Sequence, residues 1–464
     1  MDYRQSIDAL LSMVDHERNR LGPRQKAIVD LSRMERFMDR LGNPQRHAKT
    51  IHVAGTKGKG STAAFCDSAL NAAGFHTGFY SSPHLHHFTE RIRLDRLPIS
   101  EEGYAGLMDQ LWPHRTDDDP GSSHPFEAVT LFEFMTGMAY QCFAQEKVDF
   151  QTIEVGLGGR LDATNVVTPD VAVITSISLD HTAILGDTLG EIASEKAGII
   201  KLGSAVVVAP QAPEAMSSIL EACRHQGSKP ILAGRDVTWD KVETGRDPWQ
   251  GQSLMVKGRR GEYQLDIPLL GEHQLENAAT AIAALEALID QGHEIPAEAI
   301  KQGFSQVSWP GRMEVLSRNP LFVADGAHNL YSVNSLMESL KGYSLSGRLI
   351  IVAGFSRDKS VADMVNRLAR VNPVSQAKPI VFAARSRHPR SLPAAAIAAH
   401  FGNEGIDAVE SASVADAVTQ ALALASPGDL VLATGSLFVV AEAREAILGI
   451  EPEIYPDLLP QDLR

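Results

Sequence analysis

Residues 51–62 read Ile-His-Val-Ala-Gly-Thr-Lys-Gly-Lys-Gly-Ser-Thr: an apolar run closes at Ala54, "GTKGKGST" fills 55–62, and "AAFCDSALNAAG" continues to Gly74. The order predicts a strand, a glycine loop and a helix that begins near Ser61 and ends at Gly74, a residue suited to a left-handed C-cap. Backbone N–H groups at such a helix start carry roughly half a positive charge and face the loop, which suits an anion. The usual phosphate loop is spelled G-x-x-x-x-G-K-[ST], with the hydroxyl after the lysine on Mg²⁺. Here Gly60 stands where that hydroxyl belongs. Lys59 follows a glycine at the helix entrance and is the lysine placed for phosphate; Lys57 sits too early.

Working outward, apolar runs rich in β-branched and aromatic residues recur: "TIHVAG", "HTGFYSS", "FQTIEVG" and "VAVITSIS", each followed by polar or glycine-rich residues. A second block holds "PLFVADGAHN", "RLIIVAGFS", "PIVFAARS" and "DLVLATGS", with "SVADMVNRLARV" and "ASVADAVTQALALA" reading as helices between them. Alternation of this kind predicts an α/β protein built on mostly parallel sheets. Trp309-Pro310-Gly311 breaks the pattern between the blocks. Two domains are therefore expected: a phosphate-loop sheet domain over 1–309 and a smaller Rossmann-like α/β domain over 310–464, joined near 306–316.

In open α/β sheets ligands bind beyond the carboxyl ends of the strands, so the other strand ends should complete the site. Ser82, Glu154 and His181 each stand at or just past such an end. A hydroxyl and a carboxylate beside phosphates are what Mg²⁺ needs, and Ser82 can replace the hydroxyl missing from the loop. In "GDTLGEIASEKAGII", Thr188 and Glu191 have capping-box spacing, and Lys196 falls on the apolar stripe of Leu189, Ile192 and Ala193. Its stem could snorkel to solvent, or the amine could be buried, where a lysine loses its charge more readily.

Composition bounds the rest. The chain has 464 residues, 43 basic against 57 acidic, a formal charge of −14, and three cysteines with no C-x-x-C pair. That balance disfavours nucleic acid and membrane surfaces as partners, and the cysteines form neither a disulfide framework nor a zinc site. No apolar run approaches the ~18 residues of a membrane span. The N-terminal stretch lacks the h-region of a signal peptide, so a cytoplasmic protein is expected.

The stretches "GTKGKGST", "SSPHLHHFTERIRL", "EVGLGGRLDATN", "LDHTAILGDTLGEIASEKAGI", "ENAATAIAAL", "WPGR", "DGAHN", "GFSRDK" and "TGSLF" together resemble the folylpolyglutamate synthase/dihydrofolate synthase family of the Mur ligase superfamily. The family loop is G-T-N-G-K-G-S, so the extra glycine is the family's own spelling. Lys57 replaces the family asparagine, and Leu330 follows "DGAHN" where the family usually has proline.

The resemblance implies an ATP-dependent, ADP-forming ligase that adds L-glutamate to a folate or dihydropteroate carboxylate through an acyl phosphate. It implies that Gly55, Thr56, Gly58, Lys59, Gly60, Ser61, Asn277, Arg312 and Asp325 meet ATP. Ser82 and Glu154 would bind one Mg²⁺ and His181 a second, with Lys196 carbamylated by CO₂ as an anionic ligand. His328 and Ser436 lie where incoming glutamate is held. The spelling of Gly159–Asn165 is that of members that also accept dihydropteroate, so Arg160, Leu161 and Asp162 are candidates for the pterin. Phe126 and Phe132 could stack on its ring or pack in a helical core. A monomer is expected.

Two other readings fit less well. Ligases that extend peptidoglycan precursors typically spell the loop G-T-N-G-K-T, and a nucleotide switch of the GTPase kind would carry N-K-x-D, which is not present.

Overall fold

The computed structural model describes residues 1–13, 31–116, 128–343, 347–370 and 377–460. Its first unit is an eight-stranded sheet of order β4-β3-β2-β5-β1-β6-β7-β8. The strands are β1 (Lys49–Ala54), β2 (Thr77–Tyr80), β3 (Ile92–Leu94), β4 (Leu97–Pro98), β5 (Phe150–Glu154), β6 (Val171–Ile174), β7 (Ala205–Val208) and β8 (Ile231–Leu232). β2, β5, β1, β6, β7 and β8 run parallel, while β3 and β4 fold back as an antiparallel edge. The central strands are buried along almost their whole length, which is why they read as unbroken apolar runs rather than as alternation.

A three-stranded antiparallel sheet, β9 (Thr238–Val242), β10 (Gln252–Lys257) and β11 (Glu262–Ile267), covers one side of this unit. Its Leu254, Val256 and Leu265 join the core that holds the helix Lys59–Ala72 and the helix Glu272–Asp290. The sequence reading did not anticipate this sheet. Its last strand alternates exposed and buried, so only half of each repeat is apolar.

The second unit is a six-stranded sheet of order β12-β13-β17-β14-β15-β16. It comprises β12 (Glu314–Arg318), β13 (Leu321–Asp325), β14 (Leu349–Ala353), β15 (Ile380–Ala383), β16 (Val409–Glu410) and β17 (Leu430–Thr434). All neighbours are parallel except β12 against β13. Two apolar clusters, one on Leu336, Ile351 and Leu432 and the other on Phe322, Val352 and Val439, form its core. The tail then leaves this unit: Tyr455 is buried in the cluster of Ile7, Phe88 and Tyr104.

Candidate active site

Local sequence explains the loop after β1. The helix starts at Lys59, two residues earlier than expected, after Gly58 at φ 85°. Three glycines are demanded by what lies against them. An ideal Cβ on Gly55 would stand 1.8 Å from Thr175 Oγ1, one on Gly58 2.3 Å from Asn277 Oδ1, and one on Gly60 2.4 Å from the Trp309 ring. Gly60 is thus not a displaced hydroxyl position but the seat of the indole. The N–H groups of Thr56 and Lys57 donate to the Ser176 carbonyl, and the Thr56 hydroxyl donates to Ser178 O. Thr56 therefore shapes the loop, and the N–H groups left for an anion are those at the helix start, up to Ser61.

β5 ends in Glu154, which is buried and 3.9 Å from Lys59 Nζ. Burial raises its carboxyl above the ordinary value, while Lys59, Arg312 and the Ser82 backbone pull the other way. Its Oε2 has no hydrogen-bond partner among the described residues. No group of three or more His, Cys, Asp or Glu side chains placed to hold a metal occurs among the described residues. An orphaned carboxylate oxygen beside the half-buried Ser82 nonetheless fits a hard cation whose other ligands are phosphate oxygens and water.

Lys196 is buried on the helix Leu189–Ala197, which Thr188 and Glu191 cap as the spacing predicts. Burial, and after it the charge of Lys59, pushes its amine down to about 7. His181, in the loop after β6 and in the left-handed region, keeps 45% of its side chain exposed, yet partial desolvation pushes its imidazole down to about 4 despite Asp180. Electrostatic influence among Lys59, Lys196, His181 and Asp180 places them around one space.

The second unit presents its own carboxyl edge to this space. Asp325 closes β13, accepting the Met313 N–H at 2.9 Å and the Ala327 N–H at 2.9 Å, so one carboxylate ties the linker to the loop beyond β13. Arg312 stands in that linker, within electrostatic reach of Glu154. His273, which the sequence reading missed, lies near both Asp325 and Arg312. His328 donates from Nδ1 to the Gly326 carbonyl at 2.8 Å, which leaves Nε2 as an acceptor. Burial, then Lys57 and Lys359, pushes its imidazole down to about 3. Ser436 follows β17 and caps the helix Leu437–Leu448 by accepting the Phe438 N–H. Asn277 Nδ2 donates to Gln274 Oε1 at 2.9 Å, leaving Oδ1 against Gly58.

The candidates for the pterin are less converged. Phe126 lies outside the described residues. Phe132 packs on Gly156, where an added Cβ would meet its ring at 2.4 Å. Arg160 is exposed and pairs with Glu195 at 2.8 Å. Asp162 is buried and accepts from the Leu157 and Thr164 N–H groups and the Thr164 hydroxyl, so it shapes its own loop. Leu330 is the first residue of the helix Leu330–Lys341, the position where proline costs no hydrogen bond, so leucine there leaves the bonding pattern intact.

A phosphate-ready loop facing the carboxyl edge of a second α/β unit defines an ATP-dependent ligase of the Mur type. Residues 121–285 match the Mur ligase middle domain, and residues 311–437 match the Mur ligase glutamate ligase domain. A dihydrofolate synthase/folylpolyglutamate synthase of Bacillus subtilis is 40% identical over 74% of this chain and 79% of its own length. The folylpolyglutamate synthase of Mycobacterium tuberculosis, solved with ADP, superposes with a TM-score of 0.85 at 31% identity, covering 97% of this chain and 100% of that one. Escherichia coli FolC in complex with DHPP and ADP gives 0.81 at 32% identity, covering 97% and 98%. The chain belongs to the folylpolyglutamate synthase/dihydrofolate synthase family. Among the described residues no helix is long and apolar enough to cross a membrane.

Proposed function

We propose that this ATP-dependent ligase, which adds glutamate to folates, acts on two acceptors: it makes dihydrofolate from dihydropteroate and extends reduced folates. The ligase chemistry rests on the meeting of two carboxyl edges, with Lys59 and Glu154 on one and Asp325, His328 and Ser436 on the other, and the second acceptor rests on the spelling of Gly159–Asn165. ATP would lie between them. Lys59 and the N–H groups at the start of its helix would stabilise charge on the γ-phosphoryl group as it moves to the acceptor carboxylate. The amine of glutamate then attacks the acyl phosphate carbon, the C–N bond forms, the C–O bond to phosphate breaks, and the amine loses its proton.

Arg312 and Asp325 would hold the nucleotide from the linker and second unit, and the closed cleft would keep water from the acyl phosphate. An open cavity of about 300 Å³ beside Arg312, lined by Trp249, Leu270, Trp309 and Pro310, would take the base. Ser82 and Glu154 would hold one Mg²⁺, and His181 with carbamylated Lys196 a second, which when bound supply charge compensation at the phosphates. A lysine whose amine sits near 7 is uncharged in a large share of molecules at neutral pH, the form that adds CO₂ with release of a proton. His328, neutral at Nε2, and Ser436 at a helix N-terminus would face the incoming glutamate. Arg160, Leu161 and a loop shaped by Asp162 would face the pterin. A monomer working in the cytoplasm suits small-molecule substrates.

The test is phosphate release by purified protein with ATP, Mg²⁺ and glutamate, comparing dihydropteroate with tetrahydrofolate. Turnover of both is expected. Reaction of tetrahydrofolate alone would reduce the protein to a folylpolyglutamate synthase.

A further inference from the structure

The roles above leave Lys57, Asp180, Asn329 and Lys359 unused, yet the four side chains meet. Asp180 follows β6 and its side chain is 10% exposed. Its Oδ2 accepts the Lys57 ammonium at 3.0 Å and the Asn329 Nδ2 at 2.7 Å, and Lys359 Nζ stands 3.6 Å from its Oδ1. Lys57 belongs to the glycine loop, whereas Asn329 and Lys359 come from the loops after β13 and β14 of the other unit. Each partner is pinned from behind. The Lys57 N–H is bonded to Ser176 O, and Asn329 Oδ1 accepts the Ser332 N–H as a helix cap. Asp180 Oδ1 also accepts the His181 N–H.

We propose that Asp180 is a positioning residue that latches the glycine loop to the C-terminal unit, through Lys57 on one side and Asn329 and Lys359 on the other. The latch makes the loop's conformation and the closure of the cleft one event, because a buried carboxylate that loses one partner is left undercompensated. Lys57, at the position of the family asparagine, is then a structural strut rather than a phosphate ligand.

The inference rests on the ligase reading for its kinetics, and scattering from the ligand-free protein reads it independently. Lys57→Met, Asn329→Ala, Lys359→Met, Asp180→Asn and the double variant Lys57→Met/Asn329→Ala are compared by KM for ATP, KM for glutamate, kcat and radius of gyration. Asn329→Ala and Lys359→Met are expected to raise KM for ATP several-fold although they lie in the other unit, and Lys57→Met to raise KM for glutamate. The double variant should lose less than the product of its singles, and Asp180→Asn should enlarge the ligand-free protein. Independent, multiplicative losses, or effects confined to the substrate of each variant's own unit with no change in radius, would overturn the latch and make these lysines direct substrate contacts. A wild-type protein that forms no ADP would count against the ligase reading, while the radii still decide the latch.

Discussion

The indole of Trp309 lies 2.4 Å from the point where a Cβ on Gly60 would stand. The linker thus reads the first turn of the phosphate-loop helix directly. The same ring makes an edge contact with Phe79 at 5.5 Å and lies under Arg93, so it cannot swing aside without breaking other packing. Gly60→Ala should therefore destabilise the protein by about 1–3 kcal/mol, the range for overpacking a filled site, and should raise KM for ATP. Adding Trp309→Ala should relieve that overpacking, so the double variant should lose less stability than the sum of its singles; thermal melts on the single and double variants decide it.

Lys59→Ala should cut turnover by at least about 10²-fold, the scale for losing one preorganised group on developing charge. Its melting temperature should stay near wild type, because the side chain contributes to the site and not to a core. Wild-type activity in a folded variant would remove Lys59 from the phosphates.

Glu154 is expected to couple nucleotide to metal. With wild-type protein, ADP plus Mg²⁺ should stabilise more than ADP with chelator, by up to about 2.7 kcal/mol at a hundredfold excess over Kd. In Glu154→Gln the two melts should coincide. A persistent Mg²⁺ increment would place the metal elsewhere.

Lys196→Ala should lose activity, and short carboxylic acids should restore part of it by standing in for the carbamate. An unmodified Lys196 in a crystal grown with bicarbonate, Mg²⁺ and nucleotide would count against that assignment.

His52 should contribute a share of the acid sensitivity, alongside His181 and His328, whose imidazoles are also pushed down. Its Nε2 lies 2.9 Å from the Thr164 hydroxyl, whose one proton goes to Asp162, so Nε2 carries the hydrogen and the buried Nδ1 is bare. Burial, with Lys201 adding to it, pushes the imidazole from 6.5 down to about 3. Between those values the unfolded chain holds a proton that the folded one lacks, so stability is full above the unfolded pKa and falls as pH drops through the window. The loss is about 1.4 kcal/mol per pH unit for one such group. His52→Gln should show a shallower fall in denaturant-derived stability below pH 6.5; an unchanged slope would assign the acid sensitivity to other groups.

Much of this protein was legible in the linear chain. Strands buried on both faces announce themselves as unbroken apolar runs, as at Ile51–Ala54 and Leu349–Ala353. A helix cap needs only near neighbours, so Thr188 and Glu191 could be paired by spacing alone. Strand ends also marked Ser82, Glu154 and His181 for one edge of the first sheet, because parallel strands deliver their carboxyl ends to one edge; Asp325, on the other sheet, was indicated only by the family resemblance. What needed the tertiary structure were contacts between residues far apart in sequence, where no local period exists. Gly60 is glycine because of Trp309, and Asp162 is spent on its own loop rather than left open. Lys57 turns to Asp180, which Asn329 and Lys359 approach from the other unit. The chain's own pattern determines which groups can reach an edge, since dihedral preference and apolar periodicity are local. Which of those groups is left with a free lone pair or an unshielded charge is decided only by packing, because burial and the partner across the cleft set the cost of leaving it unpaired.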